Sequence, residues 1–479
     1  MNVPRSTYLA GIKEPLKRLV ETLSKDFSYA SILSTDSIGM LYSVRKRAIE
    51  ARQSNWCERG SVIRIFDGRR YLEYSFNEID EGSLSDIGSL ADTIRKRFRR
   101  SSEDSGRLPF GIPEFPPISE QPLNETWQGE VGVLPEAEAV EQTIGRLVRL
   151  KDRAFELSEH LVEIEVRFEH MRVTKLFISG KRELEQSYIW AQGYLIPVLR
   201  RDETIREMVA SYSGLKGMEL IEEMEAGLEE TMTVGGQLLD AERIEPGEYE
   251  VILSPGIAGL LAHESFGHGV ELDMFVKGRA KAAEYLGKAV ASPMVSLRDG
   301  ARAAEQTGSY WFDDEGVLGG DTLVIQEGVF RSGISDLLSA LRLGTPPTGN
   351  GKRESFERKA YARMTNTFFT AGTDSLEDMI ASTKYGYLLE KFISGMEDPK
   401  NWGIQGQILY AREIRDGKLT GRIVSPLFMF GYVPEVLSSV SMVSAEVQQF
   451  GSGMCGKGHK EYVKNSAGGP YIKTKMRLG

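Results

Sequence analysis

The sequence predicts an α+β protein: a mixed α/β amino-terminal domain over residues 1–242, then a β-rich carboxyl-terminal domain over 243–479. Three observations carry this. Helical and strand-like periodicities alternate over the first hundred residues, where EPLKRLVETLSK spaces its apolar residues for a helix and YASILST, SVIRIF and RRYLEYSF alternate as strands do. After Glu245 the composition shifts to glycine and short strand-like runs such as VILS, DTLVI, GYLLEKFI, QGQILYAREI and RIVSPLF, with few helical stretches. The chain of 479 residues is about three times a ~150-residue domain, so more than one core is expected.

The elements follow in order. RKRFRR, Arg95 to Arg100, is the most basic run and reads as the solvated end of a helix rather than a binding patch. SSEDSGRLPFGIPEFPPISEQP, near 101–122, is dense in Pro, Gly and Ser and reads as an internal connection within the first domain. Pro135 suits a first helical position, and Val140, Ile144, Leu147, Val148 and Leu157 then recur near a 3.6-residue period. In LVEIEVRFEH, Val162, Ile164, Val166 and Phe168 alternate with Glu163, Glu165 and Arg167, which predicts an antiparallel strand with one wet face. His160 and His170 flank it and are expected at the surface or at element ends. The end of the chain, from GMCGKGHK onward, reads as a loop and a final strand.

Composition narrows the function. The chain is 41% hydrophobic and 27% charged with a formal net charge of -10, which argues against an electrostatic nucleic-acid footprint. Two cysteines, Cys57 and Cys455, are too few for a disulfide framework. The first residues lack the apolar core of a signal peptide, and no window reaches the ~18 apolar residues of a membrane helix. The expectation is a cytoplasmic, acidic enzyme that engages neither membrane nor nucleic acid.

The stretch EYEVILSPGIAGLLAHESFGHGVELD carries the chemistry. Tyr249 to Leu253 reads as a strand, Ser254 as an N-cap and Pro255 as the first helical residue, which places His263 and Glu264 in the helix body. The order H-E-x-x-x-H is one residue longer than the zinc-binding H-E-x-x-H. Positions five apart sit ~140° apart around an ideal helix, so His263 and His268 converge only if the helix bulges or ends between them. Gly267 makes such a break easy.

Two imidazoles leave a catalytic zinc site one protein ligand short. Glu271 and Asp273 are nearby candidates, and Cys455, His459 and the run Asp313, Asp314, Glu315 are distant ones. Cys455 is chemically distinctive, because zinc favours thiolate and GMCGKG surrounds the sulfur with small residues. Glu264, beside a ligand, is then the general base for water attack on an amide carbonyl. The acidic run itself reads as a turn or buried network, having too few oxygens for a hard cation.

These residues resemble the TldD/PmbA family of metallopeptidases. GLLAHESFGHGVELD is similar to that family's metal-binding helix, and FDDEGVLGG, GKRESFERKAYARMTNTFF and GMCGKG look like further blocks in the family's order. ERGSVIRIFDGRRYLEYSF resembles its amino-terminal block. The resemblance implies one zinc per chain on His263, His268 and Cys455, with Glu264 as base. It also implies cleavage of short or unfolded peptides, and a dimer with an identical or related chain. Retention of all four residues points to the catalytic, TldD-like member; the alternative is a non-catalytic peptide-binding subunit whose metal is structural. After CGK this chain departs from the family, with Gly458, His459 and Lys460. In the RES and RMTN segments, Arg353, Glu354, Arg363, Thr365 and Asn366 are candidates for substrate contacts or for bracing the β-rich interior, and His459 is a further candidate beside the CGK motif.

Overall fold

The computed structural model describes residues 1–77, 87–105, 114–458 and 460–479. A nine-stranded sheet organises the first part of the chain. Tyr71–Asn77, Glu58–Phe66, Tyr29–Val44, Leu161–Ser179, Arg182–Arg201 and Leu123–Gln128 lie side by side in that order, with three short strands added at the margins. Its pairs are antiparallel except for Leu123–Gln128 on Arg182–Arg201.

Patterning explains the elements. In helix Thr7–Leu23 the Ser6 hydroxyl accepts the Leu9 amide at 3.0 Å, and Leu9, Ile12, Leu16, Leu19 and Leu23 form one buried stripe against Ile32 and Ile63. In Leu161–Ser179 the residues Ile164, Val166 and Phe168 are fully buried, as their alternation demands. Val162 breaks the pattern and is exposed, because the register shifts between Leu161 and Glu163. The helix expected from Pro135 begins at Val140 instead: Pro135–Ala137 make one 3-10 turn, and Glu138 is extended before the helix starts. His170 is interior rather than surface. It sits in mid-strand beside the rings of Tyr42 and Phe168, and burial pushes its pKa down to about 4.

The helix Ile87–Ser105 carries the basic run, and Arg95 pairs there with Asp26 and Asp92. It takes in the first residues of the expected connection; 106–113 lie outside the described residues, and 114–122 have no regular structure.

The rest of the chain holds a sheet that closes on itself. Gly247–Leu253, Tyr385–Asp398, Gly403–Arg415, Leu427–Tyr432 and Ile472–Leu478 follow one another, and the last pairs back with the first. A six-stranded sheet contains Leu297–Asp299, Asn366–Phe369 and Ser466–Gly469 as consecutive neighbours. Helix Pro255–Phe266 lies between, touching Tyr385–Asp398 of the closed sheet and both Asn366–Phe369 and Ser466–Gly469 of the other. Ile257, Ala258, Leu261, Ala262 and Phe266 are all fully buried, and a helix wrapped by sheets is apolar on every side. Burying Leu261 alone contributes about 1.5–3 kcal/mol. The approach is backbone to backbone at Gly259, where a Cβ would lie 2.6 Å from the Gly468 nitrogen.

Candidate metal centre

The site starts where the wrapped helix ends. Ser254 is extended, Pro255 opens the helix, and Phe266 is its last residue. Gly267 then leaves the helical region at φ -92°, ψ -81°, and His268–Val270 form a single 3-10 turn. The five-residue offset between the histidines is absorbed by this termination, and the rings stand nearly perpendicular with centroids 5.0 Å apart. A side chain at Gly267 would collide with Met364 Sδ and the His263 carbonyl.

Cys455 comes from the far end of the chain on a tight hairpin, exchanging backbone hydrogen bonds with Val463 at 3.0 and 2.9 Å. Its Sγ lies 3.2 Å from Nε2 of His263 and 3.2 Å from Nε2 of His268. The outer nitrogens are held from behind: Asn465 Nδ2 is 3.2 Å from His263 Nδ1, and Glu271 Oε1 is 3.6 Å from His268 Nδ1. Among the described residues this is the one group of three His, Cys, Asp or Glu donors close enough to share an ion, with all three atoms within 4.8 Å of one another. Tetrahedral zinc with bonds of about 2.0–2.3 Å needs its ligand atoms about 3.3–3.8 Å apart, so the donor set fits that metal.

The charges are interdependent. Burial opposes charge on both imidazoles, but the Cys455 thiolate, joined by Glu271 at His268 and by Glu264 at His263, raises both pKa values. Burial likewise opposes the thiolate, and the two imidazoles overcome it, holding Cys455 well below the usual thiol range.

The other candidate ligands are engaged elsewhere. Glu271 is buried and accepts from Arg363 Nε at 3.2 Å and Lys457 Nζ at 2.6 Å. Asp273 accepts from Lys457 and Lys277, both at 2.8 Å. Asp313 caps the amides of Glu315, Val317 and Gly351; Asp314 takes Lys175 and the Arg353 amide; Glu315 takes Arg64 and the Leu337 amide. That run is a buried network joining the acidic turn to the amino-terminal sheet.

Arg363 is fully buried and reaches the thiolate, with Nη2 3.1 Å from Cys455 Sγ and 2.9 Å from its carbonyl oxygen. Thr365 and Asn366 are also fully buried, and their side chains are spent on the interior. Thr365 Oγ1 donates to Asp299 at 2.8 Å, and Asn366 Nδ2 donates to the Gly300 carbonyl and to Ser309 Oγ, both at 3.0 Å. Arg353 bonds Glu73 of the first sheet, tying the two parts of the chain together. Glu354 accepts the Glu461 amide at 2.9 Å. His459 lies outside the described residues.

Glu264 stands apart. It is partly exposed, accepts no hydrogen bond among the described residues, and abuts the strand Tyr385–Asp398 at Gly395, where a Cβ would lie 2.5 Å from its Oε1. Burial raises its pKa. Glu397 on that strand has a buried Oε2 with no hydrogen-bond partner among the described residues, and its pKa is pushed up to about 7 by burial and by the nearby Glu264. Beyond Glu390 the strand pairs, among the described residues, with Gly403–Arg415 on one side only, and Phe392, Ile393 and Met396 are exposed at 42%, 49% and 70%. A bare, apolar strand edge therefore runs past Glu264.

Sequence reasoning missed Asn465, Glu397 and Lys457 as parts of this site. The lysine of CGK was visible as a motif letter; the other two carried no signal beyond their residue type.

Residues 246–477 match the PmbA/TldA metallopeptidase C-terminal domain. The chain is 31% identical over 344 residues to a metalloprotease TldD homologue of Haemophilus influenzae, covering 67% of this chain and 71% of that one. It is 31% identical over 237 residues to a zinc metalloprotease TldD homologue of Saccharolobus solfataricus, covering 49% and 52%. With several curated relatives the match spans only about half of their length. The fold is shared with TldE from Thermococcus kodakarensis at a TM-score of 0.74 and 20% identity, over 97% of this chain and 100% of that one. Among the described residues no helix is long and apolar enough to cross a membrane.

Proposed function

We propose that this chain, which belongs to the PmbA/TldD metallopeptidase family, is a zinc-dependent peptidase that hydrolyses short or unfolded peptides with Glu264 as general base. The observation that carries the reading is the convergence of His263 Nε2, His268 Nε2 and Cys455 Sγ beside an uncommitted carboxylate. His263, His268 and Cys455 would hold one zinc ion, which supplies Lewis acidity toward a scissile carbonyl and makes water more acidic.

The chain's own groups do the rest. Glu264 Oε1 or Oε2 takes a proton from the attacking water and passes it to the departing amine nitrogen, so one carboxylate serves as base and then acid. Its raised pKa brings it closer to neutrality, which suits both roles. Glu271 and Asn465 fix the imidazole rings from behind, and Arg363 steadies the thiolate. The unpaired edge beyond Glu390 supports an extended peptide as substrate, since such an edge offers backbone donors and acceptors to an added strand. A cytoplasmic dimer, with an identical or a related chain, belongs to the same proposal.

The test is cleavage of an unstructured peptide before and after chelation. Activity that disappears with the metal and returns on adding zinc is expected; activity indifferent to chelation would sink the reading.

A further inference from the structure

Between the amino-terminal sheet and the loops around Lys352 and Met454 lies a cavity of about 100 Å³ that the metal centre does not use. Trp190, Tyr188, Tyr310, Phe312 and Met171 supply much of its wall, and Lys352 and Lys464 line it together.

Its charged groups divide in an unusual way. The carboxylates are committed: Asp314 to Lys175 and the Arg353 amide, Asp313 to three backbone amides, Glu58 to the Phe356 amide at 3.0 Å, and Glu354 to the Glu461 amide. Two of the cations are also paired with acids, Lys175 with Asp314 and Arg353 with Glu73. Lys352 and Lys464 are not. Lys352 Nζ donates to the Met364 carbonyl at 3.1 Å and to the Lys464 carbonyl, while Lys464 Nζ donates to Gln192 Oε1 at 2.7 Å and the Gly453 carbonyl at 3.0 Å. Glu169, whose charge reaches Lys464, is bonded to Gln192 and Ser54; Asp314 and Asp299, whose charges reach Lys352, are bonded to Lys175 and the Arg353 amide and to Thr365, Thr367 and Asn350 in turn.

An ammonium has three donors, and among the described residues each of these finds two acceptors, so in its charged form each keeps one N–H without a lone pair. The rings of Tyr310 and Trp190, 5.7 and 4.5 Å away to their centroids, offer only a weak attraction. Burial pushes both lysines down to about 7. Among the described residues neither lysine bonds a carboxylate, since those of the wall are bonded to other groups.

We propose that this cavity binds a small carboxylate, one oxygen on each of Lys352 Nζ and Lys464 Nζ, with a short hydrocarbon part against the aromatic wall. A planar monoanion with two acceptor oxygens matches two separate donors, whereas a phosphate dianion would add charge beside Glu58 and Asp314. The occupant would touch both sides of the hairpin that presents Cys455, because Met454 and Val463 also line the cavity. Two sources share this chemistry. One is a free short-chain acid. The other is the carboxyl terminus of a peptide entering from the groove of about 700 Å³ that shares Trp56, Met454 and Tyr462 with the cavity.

Calorimetry on the zinc-loaded chain, with butyrate and its neutral counterpart butyramide as probes, tests this. Saturable butyrate binding is expected, with butyramide at least tenfold weaker. Since both lysines lose protons near pH 7 when the cavity is empty and regain them beside an anion, binding at pH 8 takes up close to two protons, and affinity falls by up to about a hundredfold per pH unit above 8. Lys352→Met and Lys464→Met each weaken butyrate at least tenfold. A hexapeptide that displaces butyrate only with its carboxyl terminus free identifies the peptide source; butyrate binding that neither the free nor the amidated peptide displaces identifies the free acid. Equal binding of butyrate and butyramide, no saturable binding of either, or binding without proton uptake overturns the proposal. The comparison of the two probes uses the unaltered chain, so a variant that fails to fold leaves it intact.

Discussion

Two stretches on either side of the helix end treat a carboxylate in opposite ways. On the cleft side, Glu264 is partly exposed, accepts no hydrogen bond among the described residues, and has a raised pKa. On the buried side, Glu271 is closed in by Arg363, Lys457 and His268, and despite burial those cations hold it well below the usual carboxylate range. The same functional group becomes a proton carrier in one place and a brace in the other, and partners decide which. Nearness to a histidine in sequence does not.

The comparison can be broken in order of expected effect. Cys455→Ser removes the thiolate on which both imidazoles depend; zinc content measured by mass spectrometry falls to background, and peptide cleavage with it. Glu271→Gln keeps the side chain's shape but frees Arg363, Lys457 and the His268 ring. Zinc affinity falls about 10–100-fold, and excess zinc restores cleavage; an unchanged affinity would show that Glu271 braces nothing. Gly395→Ala places a methyl against the Glu264 carboxylate without touching a ligand, and a displaced base costs about tenfold in kcat with zinc content unchanged.

The smallest effect is in the pH profile. A carboxylate whose pKa is raised stays protonated to higher pH, so a base at Glu264 makes cleavage rise with pH along a limb centred above the ordinary carboxylate value of 4.5. Glu271, held low, contributes no such limb. Finding the limb below 4.5 would mean that the working carboxylate is not the one with the raised pKa.

Some of this was legible in the sequence. Tyr249–Leu253 and Pro255 read as strand and helix start because periodicity and proline act locally, while Ser254 takes the cap position without a side-chain capping bond. A break between the histidines, by bulge or by helix end, followed from arithmetic on their spacing, and the structure takes the second course at Gly267. The partners of Glu271 did not follow, because Arg363 and Lys457 lie far along the chain and only tertiary packing brings them in. His170 was misplaced because a strand's alternation says that side chains take two faces, while the rings of Tyr42 and Phe168 beside it come from the packing. Thr365 and Asn366 looked like substrate donors for a similar reason; their acceptor Asp299 and neighbour Ser309 sit on a strand and turn that no local pattern links to them.

The central claim is that metal binding and proton transfer reside in different side chains of one site. Zinc content and cleavage of an unstructured peptide, measured together on the unaltered chain and on Glu264→Gln, test it most directly. The account predicts about one zinc per chain in both proteins and a kcat about 10²–10⁴ lower in the variant. Undiminished cleavage by Glu264→Gln, or loss of its zinc, would contradict it.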